Sequence, residues 1–248
     1  MSTQENIQKL VTKVSSAAES GFYHSLWAGK TDFSDLPTVS RDNFLYTPLS
    51  KRRYKNEKGL VKVVHDSRGL FLSEWSFADI GREEYGLPAE RPMVFLTDPH
   101  EAIEKSMWCY ERNMLPLVGE KDATITSYAA SRYQIDSLIT DAEALVKLAS
   151  YLESRQEPLD SISILGSSFS PESLVPYRAY AARVRLVLSL PETGSFAQAE
   201  LAAAPRFETL PGCVVEREET LIVSKETMLV TPVIRYRTEI PASFYDGA

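Results

Sequence analysis

Apolar positions along this chain follow two periods, and the stretches in which each holds predict its elements. From Asn6 to Ser16, Ile7, Leu10, Val11 and Val14 fall on one helical face, and Gly21 interrupts the pattern before the aromatic cluster Phe22-Tyr23-His24-Ser25-Leu26-Trp27. His24 sits among aromatics, where packing is the expected role. Ser40 and Asp42 are the capping candidates for a short helix. Leu60 to Val64 reads as a strand leading into Asp66-Ser67-Arg68-Gly69, and Arg91 to Leu96 as another strand. Asp98-Pro99-His100-Glu101 has the N-cap, first-turn proline and capping-box glutamate of a helix start. That helix runs to about Asn113, with Ala102, Ile103, Met107 and Tyr110 near one face. Leu115 to Val118 reads as a strand, and Ala123 to Tyr128 is compatible with another. Thr140 to Glu143 is a second capping box, opening a helix through about Ser154. Leu159 to Gly166 is a strand entering a glycine turn, Ser170-Pro171-Glu172 caps a helix up to Ala182, and Arg183 to Leu190 is the next strand. Strand, capped helix, strand is the order of a parallel α/β sheet. From Cys213 to Val230 the alternation predicts antiparallel strands. Val230 to Thr238 reads as a final strand, in which Arg235 and Arg237 share one face and Tyr236 takes the other.

Composition narrows the function classes. The 248 residues are 44% hydrophobic and 25% charged, ordinary for a globular chain. A net charge of −7 argues against nucleic acid, which demands clustered cations. The run Lys51-Arg52-Arg53-Tyr54-Lys55 is short and reads as a solvated turn. Cys109 and Cys213 stand far apart without metal-type spacing, as in a reduced, cytoplasmic protein. The N-terminus lacks the regions of a signal peptide, and no apolar run reaches membrane-spanning length.

Paired arginines on one strand face suit a carboxylate partner or an anionic ligand, and a solvated edge strand gives the same spacing. The segment Thr231-Pro232-Val233-Ile234-Arg235-Tyr236-Arg237-Thr238 also resembles the "plIRYrTGD" segment of adenylate-forming acyl-CoA ligases, the phenylacetate-CoA ligase branch in particular. Earlier segments follow that family's order: Phe22 to Trp27 resembles "FYRRLW", Leu36 to Asp42 its "LP.ltK.dl" connector, and Ala123 to Tyr128 its "tpSya" step. The resemblance runs from about Phe22 to Thr238 and is thin between Gly69 and Pro92. It implies an α/β fold, a mostly parallel sheet with flanking helices plus a small antiparallel β-subdomain. The implied organisation is a ligase-like domain over 1–205, shortened around 70–92, then a β-subdomain over 206–248, without the family's C-terminal catalytic domain.

The resemblance also implies a site. Gly166, Ser167, Ser168 and Phe169 match the "f.GAep.s" motif that cradles adenine and the acyl group. Glu192 and Thr193, in Leu190-Pro191-Glu192-Thr193-Gly194, match "YGlTE.gg", whose glutamate binds the magnesium of ATP; a plain loop glutamate explains Glu192 equally well. Arg235 and Arg237 complete a ligand-binding set drawn from three strand ends, and Glu192 is the metal candidate. The phosphate loop of the family is replaced by Asp66 to Gly69, which fits a β-hairpin turn just as well. Its ribose-gripping aspartate is replaced by Glu239-Ile240, and the aromatic that stacks on adenine is missing. By resemblance the cofactors are AMP or ATP with magnesium, or CoA. Three readings follow. One is a degenerate ligase that binds a carboxylate, acyl or nucleotide ligand without forming adenylates alone. The second is a compact working ligase completed by an oligomer or partner. The third is a non-catalytic subunit of an acyl-modifying assembly. A homo-oligomer is expected, because a shortened domain leaves apolar surface uncovered.

Overall fold

The computed structural model describes residues 2–16, 21–27, 29–53, 60–66, 69–75, 90–226 and 231–245. The chain forms two compact units. The first comprises Met1–Arg82, Leu190–Phe196 and Thr209–Phe244, and the second Glu83–Ser189, Ala197–Glu208 and Tyr245–Ala248. This division cuts across the boundary expected at residue 205, because the N-terminal helices group with the C-terminal strands.

In the first unit, the helix Thr3–Ser16 buries Ile7, Leu10, Val11 and Val14, the face its periodicity predicts. The helix Gly21–Trp27 buries Phe22, Tyr23 and Trp27 but leaves His24 exposed, so His24 is not part of the packing. The Tyr23 ring lies 4.8 Å from Phe22 and 4.7 Å from Trp27, and its hydroxyl donates to the carbonyl of Pro232. Ser40 precedes the helix Arg41–Leu45, its backbone N–H donating to Asn43 Oδ1 at 2.8 Å. Strands β1 (Leu60–Asp66) and β2 (Gly69–Trp75) pair antiparallel, with Asp66 opposite Gly69. Gly69 has φ 108°, a conformation that disfavours any side chain. The hairpin reading of this stretch is thus the one the backbone adopts; Ser67 and Arg68 lie outside the described residues. Its polarity is inverted: Val61, Val63, Leu70 and Leu72 are exposed, while Lys62, Ser73 and Glu74 are buried with Val64.

The second unit holds most of a seven-stranded sheet. Its strands are β3 (Pro92–Phe95), β4 (Leu117–Val118), β5 (Ser137–Asp141), β6 (Leu159–Gly166), β7 (Ala181–Leu190), β8 (Gly194–Glu200) and β9 (Glu208–Thr209), in the order β4-β3-β5-β6-β7-β8-β9. From β4 through β7 every pairing is parallel, which requires helical crossovers and buries both faces. Four sequence expectations change here. Ala123 to Tyr128 is the start of a helix, Ala123–Tyr133, because the Asp122 carboxylate accepts from the N–H groups of Thr124 and Ile125. β5 precedes the Asp141 cap, so the capping box closes a strand as well as opening a helix; two short helices, Ala142–Lys147 and Ala149–Ser154, follow it. The helix Pro99–Glu111 is capped by Asp98 as expected but buries Ala102, Lys105, Trp108 and Cys109, leaving Ile103 and Tyr110 exposed. Finally, Pro171–Leu174 is one helical turn that tightens into the 3₁₀ segment Val175–Tyr180, since Pro176 cannot donate to an α-helical ladder.

The chain then completes the first unit with β10 (Cys213–Arg217), β11 (Thr220–Lys225) and β12 (Tyr236–Pro241), a three-stranded antiparallel sheet in that order. This is the small antiparallel sheet expected from the alternation; Met228, Leu229 and Val230 lie outside the described residues. β12 is tied to the N-terminal segment. Val39 N–H donates to the carbonyl of Arg235 at 2.9 Å, and Arg237 N–H to the carbonyl of Val39 at 2.7 Å. The buried rings of Phe44 and Tyr236 stack with centroids 5.5 Å apart. A mostly parallel α/β sheet with a small antiparallel sheet is the fold class that the residue pattern implied.

Candidate functional site

The turn between β7 and β8 carries Glu192, one of several charged side chains buried in the first unit. Glu192 is 3% exposed and Thr193 is fully buried. The Arg41 guanidinium, itself 6% exposed, donates from Nη1 to Glu192 Oε1 at 2.9 Å. Arg41 Nη2 also reaches the carbonyl of Gly69 at 3.3 Å, so this one side chain joins the β1–β2 hairpin to the Glu192 turn. Ser73 of β2 adds a bond to the carbonyl of Pro191 at 2.9 Å. From the other direction Lys225 of β11, 5% exposed, donates from Nζ to the carbonyls of Thr193 and Ser195, each at 3.0 Å. Three separate segments therefore clamp one turn. Two motif positions that the resemblance singled out, the hairpin at 66–69 and Glu192, meet through Arg41.

The arginine pair behaves differently. Arg235 is not in a strand: its φ of 49° places it in the left-handed region, and β12 begins one residue later. A non-glycine residue held there costs about 1 kcal/mol or more, so the surroundings must hold it. They do, through Arg235 N–H to Ser224 Oγ at 2.8 Å and the carbonyl bond to Val39. The guanidinium of Arg235 meets Glu216 at 3.1 and 3.0 Å and also donates to the carbonyl of Leu36. Arg237 meets Glu218 at 2.6 Å, and Arg235 lies 3.7 Å from the same carboxylate. The shared strand face expected from their spacing is therefore not formed; the two guanidiniums meet at Glu218 instead, and a pair of glutamates occupies them.

In the second unit, Gly166 ends β6 and opens the loop Ser167-Ser168-Phe169. A Cβ on Gly166 would lie 3.2 Å from the Phe169 ring and 3.3 Å from the Ser168 carbonyl, so the loop folds back tightly on its glycine. Phe169 stacks on Phe207 at 6.3 Å, and Phe207 lies 6.1 Å from Tyr245. Ser167 and Ser168 are exposed. The helix expected to run from this cap to Ala182 is a single turn, and Ser170 makes no side-chain cap bond, so no helix dipole of any length faces the loop.

Arg41 and Lys225 are the residues that sequence reasoning missed. Arg41 sits 151 positions from Glu192, and its place in the 36–42 connector gives no sign of a buried partner. Lys225 reads as the polar end of a strand; only the fold shows that its ammonium points inward.

No family model matches the chain, and no curated protein matches it. Solved structures do. The NpsA N-terminal subdomain of Klebsiella oxytoca, in complex with 3-hydroxyanthranilyl-AMSN, matches at 14% identity and TM-score 0.53, over 68% of this chain and 50% of that one. The O-succinylbenzoate coenzyme A synthetase MenE of Bacillus subtilis, in complex with ATP and a magnesium ion, matches at 11% identity and TM-score 0.56, over 72% of this chain and 43% of that one. A substituted form of E. coli MenE with bound OSB-AMS matches at 13% identity and TM-score 0.53, over 71% of this chain and 40% of that one. The fold is therefore that of the adenylate-forming acyl-CoA ligases, and the chain spans half or less of the length of these neighbours.

Whether the residues fit magnesium is a separate question. Among the described residues no group of three or more His, Cys, Asp or Glu side chains is placed to hold a metal ion. At Glu192, the candidate ligand, a divalent ion would have to displace a buried guanidinium at 2.9 Å. Magnesium prefers carboxylates it can share with water and phosphate oxygens. The residues at Glu192 do not fit it. Among the described residues no helix is long and apolar enough to cross a membrane.

Proposed function

We propose that this protein is a degenerate member of the ligase fold that binds a carboxylate, acyl or nucleotide ligand and does not form acyl-adenylates by itself. The observation that carries the reading is the Arg41–Glu192 pair. The residue matching the magnesium-binding glutamate has its carboxylate buried against a cation of the same unit. Retained binding rests on the loop after β6, where Gly166, Ser167, Ser168 and Phe169 stand at the carboxyl end of a parallel strand, the place where open α/β sheets take ligands. Thr193 is a structural member of the clamped turn in this reading. Arg235 and Arg237 serve an anion only if Glu216 and Glu218 release them. Self-association belongs to the same reading, supported by the exposed aliphatic face of the β1–β2 hairpin, and sedimentation at micromolar concentration is its check.

The deciding experiment is ATP–pyrophosphate exchange with a panel of aryl and fatty acids, run beside calorimetry with AMP and CoA. Exchange is expected at background, with saturable heat from AMP or a small carboxylate. Robust exchange with any one acid overturns the proposal in favour of a working compact ligase. Silence in both assays overturns the binding half and leaves a non-catalytic interaction subunit.

A further inference from the structure

At the amino ends of β3, β5 and β6, opposite the end where the fold's ligands are expected, the second unit has an open groove of about 760 Å³. Three strand-entry segments form its floor: Arg91 before β3, Asp136 before β5, and Pro158 before β6. Some of its polar groups are spent on the fold. The Asp136 carboxylate accepts from the N–H groups of Glu90 and Arg91, both at 2.9 Å, and from Ser137 Oγ at 3.0 Å. Arg155 is fixed as a wall, donating to Tyr151 Oη at 2.8 Å, the carbonyl of Glu157 at 3.1 Å and the carbonyl of Ile135 at 3.3 Å. One is an anion and the other a cation, so this fixed pair of groups adds nothing to the net charge of the lining.

What remains is unbalanced. The Nε of Arg91 is buried without a hydrogen-bond partner, and among the described residues its guanidinium has no carboxylate partner. A guanidinium without a carboxylate partner leaves a cation in the groove lining that a carboxylate can meet through the paired N–H groups of its outer nitrogens. The lining also carries two exposed carboxylates, Glu157 and Asp160, which have no cation partner among the described residues. One positive and two negative charges therefore face the same volume. An anion alone would be repelled by the two carboxylates, and a diamine would leave Arg91 unsatisfied.

We propose that this groove is a binding site for a free basic amino acid. Its α-carboxylate meets the Arg91 guanidinium, and its α-ammonium and side-chain cation meet Glu157 and Asp160. The complement is one to one: the ligand carries one anion and two cations. The volume lies within the range of small-molecule sites. The guanidinium–carboxylate contact supplies orientation, since its paired N–H groups match a carboxylate's two oxygens.

The test is calorimetric titration of the full chain with L-lysine and L-arginine, with L-glutamate and cadaverine as comparators. Saturable binding of L-lysine or L-arginine is expected, about tenfold or more tighter than either comparator. Arg91→Gln should weaken it by a similar factor. Because Arg91 is half-buried, the double variant Glu157→Gln/Asp160→Asn provides a second arm on exposed side chains, and it should also lose at least about tenfold. No saturable heat with either basic amino acid overturns the proposal. So does cadaverine binding as tightly as L-lysine, which removes Arg91 from the contact, or binding that survives the double variant.

Discussion

Breaking the Arg41–Glu192 pair from one side should be far more damaging than removing it entirely. At 2.9 Å and an effective dielectric of about 20, the pair's Coulomb attraction is about 6 kcal/mol. Both side chains are nearly free of solvent, so desolvation offsets most of that gain, and the intact pair contributes little net stability. Glu192→Met leaves a buried guanidinium facing carbon, and Arg41→Met leaves a buried carboxylate. Each single change should cost about 3–5 kcal/mol, whereas the double variant should recover most of the loss. For a chain of this size that corresponds to a fall in Tm of roughly 6–20 °C for each single variant. Urea unfolding followed by tryptophan fluorescence measures it, because Trp27 is 1% exposed within the same unit. A double-mutant cycle then gives a coupling of about 3 kcal/mol or more. The reasoning fails if either single variant loses less than about 1 kcal/mol, or if the double variant is as unstable as the two singles added together.

Two further predictions concern the cores. Burial pushes the Cys109 thiol up to about 12, so above the ordinary thiol range the unfolded chain loses this proton while the folded chain keeps it. The stability present at neutral pH is then lost as pH rises toward 12, by roughly 1.4 kcal/mol per pH unit, and Cys109→Ala should flatten that alkaline slope in urea midpoints. Phe44→Ala removes a ring stacked on Tyr236 at 5.5 Å and should cost about 3–5 kcal/mol, read from the same urea curves; a loss under about 1 kcal/mol would show that the cavity collapses freely.

The residue pattern carried the sheet well where strands were long and helices well capped. β6 was legible because eight residues run between a proline and a glycine turn, and the helix after Asp98 because cap, proline and glutamate agree. β5 was hidden because Ser-Leu-Ile-Thr-Asp is short and its last residues double as a capping box. The helix Ala123–Tyr133 looked like a strand because Thr and Ile dominate its first turn, and the Asp122 cap outweighs their propensity. β8 was missed because Gly-Ser-Phe-Ala-Gln-Ala-Glu is small and polar. The candidate site was legible only in part. Glu192 was visible through resemblance, but its partner was not, since nothing local marks Arg41 as a cation that will be buried. The same holds for Glu74, which the fold buries against Arg53 at 2.7 Å.

The first unit is assembled from segments that leave the ribosome at very different times. Tyr23 must wait for Pro232, which follows it by 209 residues. At ordinary synthesis rates that interval is roughly 10–40 s. Throughout it, the aromatic face of Phe22, Tyr23 and Trp27 has no β12 segment to close over it. The strands from β3 to β7 find their neighbours within the intervening stretch and can pair as they emerge. The newborn chain thus carries a half-built apolar core around Phe22 to Trp27 while its sheet is already forming, a species that holdase chaperones are suited to cover. Shortening the chain before Tyr236 would make that state permanent, because Val39 and Phe44 would never meet the strand they pack against.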